Sequence, residues 1–413
     1  NYTAKRYSAE YRLSITHGDG TTEHYSERDM QSWHKNVLGD SHDGLYDSEE
    51  EVQADVDSYK AWLLKEDDTI IGESLTKILQ PQVSFVLMDQ KTGYVKAISG
   101  GRGAKTANLT LNRATNTPRQ PGSTFKVISA FAPALDTCGA TLGTVYYDSV
   151  YSVGNKTFNN WYGQKYTGYS SIRDGIIYSM NIVAVRCLME TVSPQLGLEY
   201  AENFGITTLT SQDLGASQAL GGLTHGTTNL ELTAAYASIA NEGIYTRPVF
   251  FTKILDHDGK ILINNEPETH RVLKDSTAFL LTDAMAGSME TNRKFGSSIN
   301  STSARANIPG MSNAGKSGTT SKNNDIWFVG YTPYYTAGIW AGCDSNQKLT
   351  AQNGGTSFHK NIWRNIMTRV HENLSDPGFT IPDSVETAQI CRKSGKLAIP
   401  GVCTEDPRGN AVY

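Results

Sequence analysis

Three short polar motifs lie far apart in this 413-residue chain, and each is followed by an apolar run of definite period. They are Ser123-Thr124-Phe125-Lys126, Ser179-Met180-Asn181 and Lys316-Ser317-Gly318. A fold that gives them a common purpose must return a late strand to an early helix. Pro121-Gly122 signals a turn before the first motif, and Phe125, Val127, Ile128, Phe131 and Leu135 follow at the spacing of a buried helix. Ser123 is therefore expected to open a helix, with Lys126 one turn on, about 4.5 Å of rise, on the same face. A hydroxyl at a helix N-terminus beside an amine is a nucleophile beside its base. The helix dipole favours negative charge developing there, and burial pulls a lysine pKa down.

Ser-x-x-Lys alone is an ordinary cap followed by an ordinary surface lysine, so its company decides. Tyr178-Ser179-Met180-Asn181 precedes a second apolar helix (Ile182, Val183, Val185, Leu188, Met189), and Gly315-Lys316-Ser317-Gly318-Thr319-Thr320 precedes a strand-like run. Ser-x-x-Lys, Ser-x-Asn and Lys-Ser-Gly in this order are the elements of a serine acyl-transfer site. No Gly-x-Ser-x-Gly elbow occurs and no His lies in the three motifs, which disfavours a Ser-His-Asp hydrolase.

With 38% hydrophobic and 19% charged residues the chain reads as globular, long enough for one large domain plus an appendage. A net charge of -5 gives no electrostatic reason to expect nucleic acid. Five cysteines, Cys138, Cys187, Cys343, Cys391 and Cys403, contain no Cys-x-x-Cys pair, which argues against a disulfide scaffold and a zinc site; Cys391 and Cys403 could pair across their short loop. No run of about 18 apolar residues is present and the first residues are not a signal peptide, so a membrane anchor is expected to lie outside this chain.

Residues 1–78 read as an acid-rich polar linker or accessory region, in which Val56, Tyr59, Trp62, Leu63 and Leu64 line a short helix and His17, His24, His34 and His42 lack ligand spacing. From Gln82 the texture changes to hairpins: Val83–Met88 with Tyr94–Ile98, Val249–Leu255 with Lys260–Ile263, and Asp325–Tyr331 with Thr336–Gly342. Helical stretches at Asn229–Ala240 and Leu280–Met285 lie between them. The expected fold is α+β, a central antiparallel sheet with helices on both faces, over residues 79–380, followed by a loop-rich extension at 381–413. Gly100–Thr106 suggests a phosphate loop but fails the pattern at Ala104, and reads as the loop leaving the first hairpin.

The stretches Arg119–Lys126, Leu220-Gly221-Gly222 with Gly226 and Glu231, and Gly315–Thr320 leading to Trp327–Tyr331 resemble the transpeptidase domain of a class A penicillin-binding protein. The resemblance runs from about Gln82 to Thr350. It departs in Ser317, where the family more often has Thr, and in residues 1–78, which do not resemble the glycosyltransferase domain that class A members carry.

The resemblance implies an extracytoplasmic, membrane-anchored D,D-transpeptidase that cross-links peptidoglycan stem peptides ending in D-Ala-D-Ala and is acylated by β-lactams, with no metal or organic cofactor. It implies Ser123 as nucleophile, Lys126 as base, Ser179 as a bridge to Lys316, and Asn181 as a hydrogen-bonding partner of the acyl chain. It assigns Ser317, Gly318, Thr319 and Thr320 to substrate binding and the backbone N–H groups of Ser123 and Thr319 to the oxyanion hole, with Trp161 and Tyr178 as candidate walls. A D,D-carboxypeptidase differs only in its acyl acceptor. A non-catalytic β-lactam sensor or scaffold would keep the same motifs, whereas a β-lactamase calls for a Glu-x-x-Leu-Asn segment that does not occur between Ser179 and Lys316.

Overall fold

Alternation along the first strand builds the N-terminal unit. In β1 (Arg6–Thr16), Tyr11, Leu13 and Ile15 are buried while Arg12 and Ser14 face outward, the period of two of a half-buried strand. β1 lies between β2 (Thr22–Ser26) and β3 (Thr69–Gln80), antiparallel to both. Ser26 caps α1 (Glu27–Trp33) in a capping box with Asp29, and Ser48 caps α2 (Glu49–Leu63), whose acidic first turn suits the helix dipole. Val52, Val56 and Tyr59 of α2 close over β1 with Met30 and Trp33, while Trp62 stays half exposed.

The structure is a computed structural model describing residues 5–105, 108–290, 294–295, 299–351, 354–403 and 410–412. Thr106 of the Gly-rich turn and residues 404–409 of the tail lie outside the described residues. Two compact units emerge, the first comprising 1–82, 102–108 and 342–356, the second the rest. The stretch read from composition as a linker or accessory region thus holds a folded sheet-and-helix unit; β2 and most of β3 are exposed along their length and show no alternation to read.

The second unit is organised on a five-stranded antiparallel sheet. β4 (Gln82–Met88) and β5 (Val95–Ser99) form its first hairpin, and α3 (Ile172–Ile177), α4 (Asn181–Arg186), α5 (Asn229–Ala240) and α6 (Asp275–Met289) follow in the chain. β6 (Ala314–Thr319), β7 (Asp325–Tyr331) and β8 (Thr336–Gly342) then complete the sheet in the order β6-β7-β8-β4-β5, and α7 (Phe358–Val370) comes after it. Trp327, Val329 and Tyr331 of β7 join a large apolar cluster with Leu232, Tyr236, Leu281 and Met285 of α5 and α6. Phe328 belongs instead to a second cluster, with Trp363 and Met367 of α7. Successive side chains of a strand face opposite ways, so the two clusters are the two covered faces of the sheet, as the α+β expectation requires. The hairpin of Lys253–Leu255 and Ile261–Asn264 is a separate two-stranded ribbon and does not join this sheet.

Trp363 is fully buried, donates its indole N–H to Ala337 O at 2.9 Å and meets the Phe328 ring edge-on at 4.8 Å. Trp363→Ala should cost about 3–5 kcal/mol, seen as a lower urea midpoint with an unchanged slope. In the N-terminal unit, His34 Nδ1 lies 3.0 Å from Asp40 and Nε2 2.9 Å from Asp55, so both ring nitrogens face carboxylates. Burial opposes the imidazolium, but the hydrogen bonds to Asp55 and Asp40 outweigh it and raise the pKa above the usual 6.5. A raised pKa contributes stability that is complete below the unfolded-state value and is lost as pH climbs through the folded-state value. Melting of this unit should therefore fall as pH is raised from 6 through neutrality (about one unit either side of the unfolded-state value), and His34→Gln should flatten that dependence.

Candidate active site

Ser123 lies in a tight 3-10 turn, Gly122–Thr124, that runs directly into the helix ending at Asp136. The residue at the cap position is Pro121 and no side chain caps the turn, so Ser123 sits inside the first turn instead of capping it. Three glycines wedge this turn into place. Gly122 has φ +55, and a Cβ there would come within 2.9 Å of Thr319 O; a Cβ on Gly221 would meet Gly122 O at 2.4 Å, and one on Gly318 would meet Pro121 O at 2.4 Å. Only residues without side chains let the strand and the two turns approach so closely. Around them, Trp327 Nε1 donates to Gln120 O at 2.8 Å, Leu223 N donates to Gln120 Oε1 at 2.8 Å, and the Tyr236 hydroxyl donates to Thr124 O at 2.7 Å. Arg119 and Thr227 exchange backbone hydrogen bonds of 2.9 Å.

Lys126 is fully buried, and its Nζ reaches Ser179 O at 2.6 Å, Asn181 Oδ1 at 2.6 Å and Ser179 Oγ at 3.2 Å. Lys316, equally buried on β6, reaches the same Ser179 Oγ at 2.8 Å and Ser317 O at 3.0 Å. One hydroxyl therefore bridges two lysines brought together from a helix and a strand. Burial, followed by repulsion from Lys316, holds the Lys126 pKa well below the ordinary lysine value. Burial and then Lys360 lower that of Lys316 to about 7. No hydrogen bond joins Ser123 to Lys126 among the described residues.

Ser179 adopts φ +54, a conformation costly for a residue with a side chain, between the end of α3 and the start of α4. This bend turns both its carbonyl and its hydroxyl to Lys126. Asn181 is held in turn: its side chain donates to Asn159 O at 2.8 Å and its backbone N–H to Asn160 Oδ1 at 2.9 Å. Asn160 itself donates to buried Asp148 at 2.8 Å. Sequence reading missed Asn160 and Asp148, because a loop that grips Asn181 from outside its own helix carries no local pattern. Lys360, whose Nζ donates to Thr302 O at 3.0 Å and whose pKa burial lowers to about 8, also lacked a signal.

On β6, Lys316 pairs with Val329, Gly318 with Trp327 and Thr319 with Ile326, which leaves the strand at the sheet edge with Thr319 exposed. The Thr320 hydroxyl accepts from Asp325 N at 3.0 Å and Asn324 N at 3.2 Å, closing the β6–β7 turn. Of the two aromatic wall candidates, Trp161 is 54% exposed and donates Nε1–H to Tyr178 O at 2.9 Å. Tyr178 is buried in the core against Phe295.

The penicillin-binding protein transpeptidase domain profile matches residues 83–368. The chain is 34% identical over 351 residues to penicillin-binding protein 1A of Clostridium tetani, covering 80% of this chain and 43% of that protein. It is 32% identical over 309 residues to penicillin-binding protein 1F of Bacillus subtilis, covering 73% and 40%. The chain thus spans about two fifths of the length of these relatives. Penicillin-binding protein 1A of Haemophilus influenzae superposes with a TM-score of 0.67 at 21% identity, over 100% of this chain and 63% of that one. PonA1 of Mycobacterium tuberculosis, solved in complex with penicillin V, superposes with a TM-score of 0.63 at 24% identity, over 78% and 84%. These two likenesses establish the fold, and the profile spans most of the sheet, its covering helices and all three motifs. On that extent of match, the chain belongs to the penicillin-binding protein transpeptidase domain family.

Proposed function

We propose that this chain is the acyl-transfer unit of a peptidoglycan-cross-linking D,D-transpeptidase, with residues 79–380 as its catalytic domain and 1–78 and 381–413 flanking it. The observation that carries the reading is the shared hydroxyl: Ser179 Oγ within 3.2 Å of Lys126 and 2.8 Å of Lys316, both fully buried. Two ammonium groups so close in a dry interior do not both stay charged, so one of the two amines is favoured in its uncharged form, one turn along the helix from Ser123.

In this mechanism the donor is a stem peptide ending in D-Ala-D-Ala. Lys126 as the free amine takes the Ser123 proton while Oγ attacks the penultimate carbonyl. The oxyanion is met by the backbone N–H groups of Ser123 and Thr319, and the wedge of Gly122 against Thr319 supports that pairing. The proton returns through Ser179 to the departing D-Ala nitrogen, leaving a serine ester. Lys316 as a cation, with the hydroxyls of Ser317 and Thr319, binds the terminal carboxylate, and the open edge of β6 receives the peptide as an added strand. Gly318 lets the turn that carries Ser123 press against β6, and Thr320 holds the β6–β7 turn. Asn181, fixed by Asn160, orients the acyl amide. An amine from a second stem then attacks the ester and frees Ser123. A β-lactam acylates Ser123 in the same way, but its leaving amine stays tethered in the product, so the ester persists.

In this reading the unit works at the extracytoplasmic face of the membrane, where peptidoglycan is built. Among the described residues no helix is long and apolar enough to cross a membrane.

Incubation with benzylpenicillin should give one stable adduct by intact mass, mapped to Ser123 and absent from Ser123→Ala. An unmodified protein, or drug hydrolysed with rapid turnover, would sink the reading. Incubation with a stem peptide ending in D-Ala-D-Ala and a D-amino acid should yield the aminolysis product; release to water alone would favour a carboxypeptidase.

The acylation rate should be bell-shaped in pH. The acid limb reports protonation of the amine pair, and the alkaline limb begins near pH 7 as Lys316, lowered to about 7, loses its charge. Lys126→Met should slow acylation by about 10²–10⁴-fold. A pH-independent rate in the native protein would contradict the two-lysine scheme.

A further inference from the structure

Outside the acyl-transfer site, two thiols in the C-terminal segment are held together by backbone geometry. The strand Gln389–Cys391 folds back through a turn: Gly395 N–H donates to Cys391 O at 2.8 Å, Cys391 N–H to Lys396 O at 2.8 Å, and Ala398 N–H to Gln389 O at 2.9 Å. The chain then bends again, with Val402 and Cys403 N–H groups donating to Ile399 O at 3.1 and 2.9 Å. Ile399 N–H donates to Cys403 Sγ at 3.2 Å, which pins that thiol over the hairpin it has just left. Cys391 and Cys403 are 9% and 8% exposed.

We propose that Cys391 and Cys403 form a reversible disulfide that closes this double turn. Three observations support it. Cys403 Sγ is held at Ile399 N, just past the hairpin whose other strand ends at Cys391, and the two turns that place the thiols are fixed by main-chain bonds, so the bridge requires no new fold of the segment. Cys391 is also a far better nucleophile than the buried Cys187. Hydrogen bonds from Ser394, then Lys393 and Cys403, draw its pKa down to about 7, whereas burial pushes that of Cys187 up to about 12. Third, the segment is anchored on either side of Cys391. A Cβ on Gly143 would collide with Ile390 Cδ1 at 2.4 Å, and Arg392 pairs with Asp174 at 3.3 Å. Asp174 forms the capping box of α3 with Ser171, the helix that ends just before Ser179. The bridge would thus fix the residue next to Arg392.

The oxidant is a disulfide of small thiols or a dithiol oxidase. The Cys391 thiolate attacks one sulfur of that disulfide and expels a thiolate, giving a mixed disulfide. The Cys403 thiolate then attacks Cys391 sulfur and expels the second thiolate. The protein loses two protons and two electrons, and the oxidant gains them as two thiols.

The test uses the whole chain equilibrated with oxidised glutathione, then alkylated with iodoacetamide and digested with trypsin without reduction. Arg392, Lys393 and Lys396 lie between the two cysteines, so cleavage there should leave two peptides joined, lighter by two hydrogens than their sum and separated by dithiothreitol. Cys403→Ser should abolish the joined species and leave Cys391 glutathionylated, an outcome independent of any transpeptidase activity. Full alkylation of both thiols in the native chain would overturn the proposal. So would glutathione on each thiol without a bridge, or joining of either thiol to Cys138.

Discussion

Everything in the active region depends on two lysines that share one hydroxyl away from water. An isolated buried ammonium is unstable, and a second one beside it more so. The chain meets this by surrounding each Nζ with oxygen: Ser179 O, Ser179 Oγ and Asn181 Oδ1 for Lys126, Ser179 Oγ and Ser317 O for Lys316. A neutral amine can donate to two of Lys126's three neighbours and present its lone pair to the remaining hydroxyl or to Ser123. The same arrangement therefore satisfies the buried groups, and the cost appears as the left-handed backbone of Ser179.

That hydroxyl can sit between the lysines only because three chain segments pack backbone to backbone. Gly122, Gly221 and Gly318 lie where any side chain would strike a neighbouring main chain. Around this seam, Gln120 clamps the main chain at Leu223, and Trp327 and Tyr236 use their polar ends to hold the flanking carbonyls. Large aromatic side chains so serve twice, filling the core beneath the site and fixing the turn above it. The sheet supplies the rigid frame: β7, buried along its whole length, has helices α5 and α6 over one face and α7 over the other.

The N-terminal unit follows a different logic. Its own apolar cluster, built from alternate residues of β1 and one side of α2, is small, and polar pairs fill the rest. His34 between Asp40 and Asp55, with Tyr46 donating to Asp55 at 2.6 Å, is a buried imidazole whose partners favour its charged form. Lys60 on Glu73 adds a half-exposed pair of lesser weight.

The sequence by itself determined the class of fold and pointed to the residues that the fold gathers. Ser123, Lys126, Ser179, Asn181 and Lys316 were legible because each motif is short, local and followed by a helix or strand of clear period. The sheet of distant hairpins with helices on both faces was legible for the same reason. Only the tertiary structure decided what grips those residues. Asn160, Asp148 and Lys360 act across loops or from another helix, and contacts between segments far apart in sequence leave no periodic trace. The strands of the N-terminal unit were hidden because half-exposed polar strands look like linker, and the Lys253–Asn264 hairpin stands apart because partner choice between strands is set by packing. Local pattern writes which elements form; burial and close backbone approach, which depend on the whole chain at once, settle where they meet.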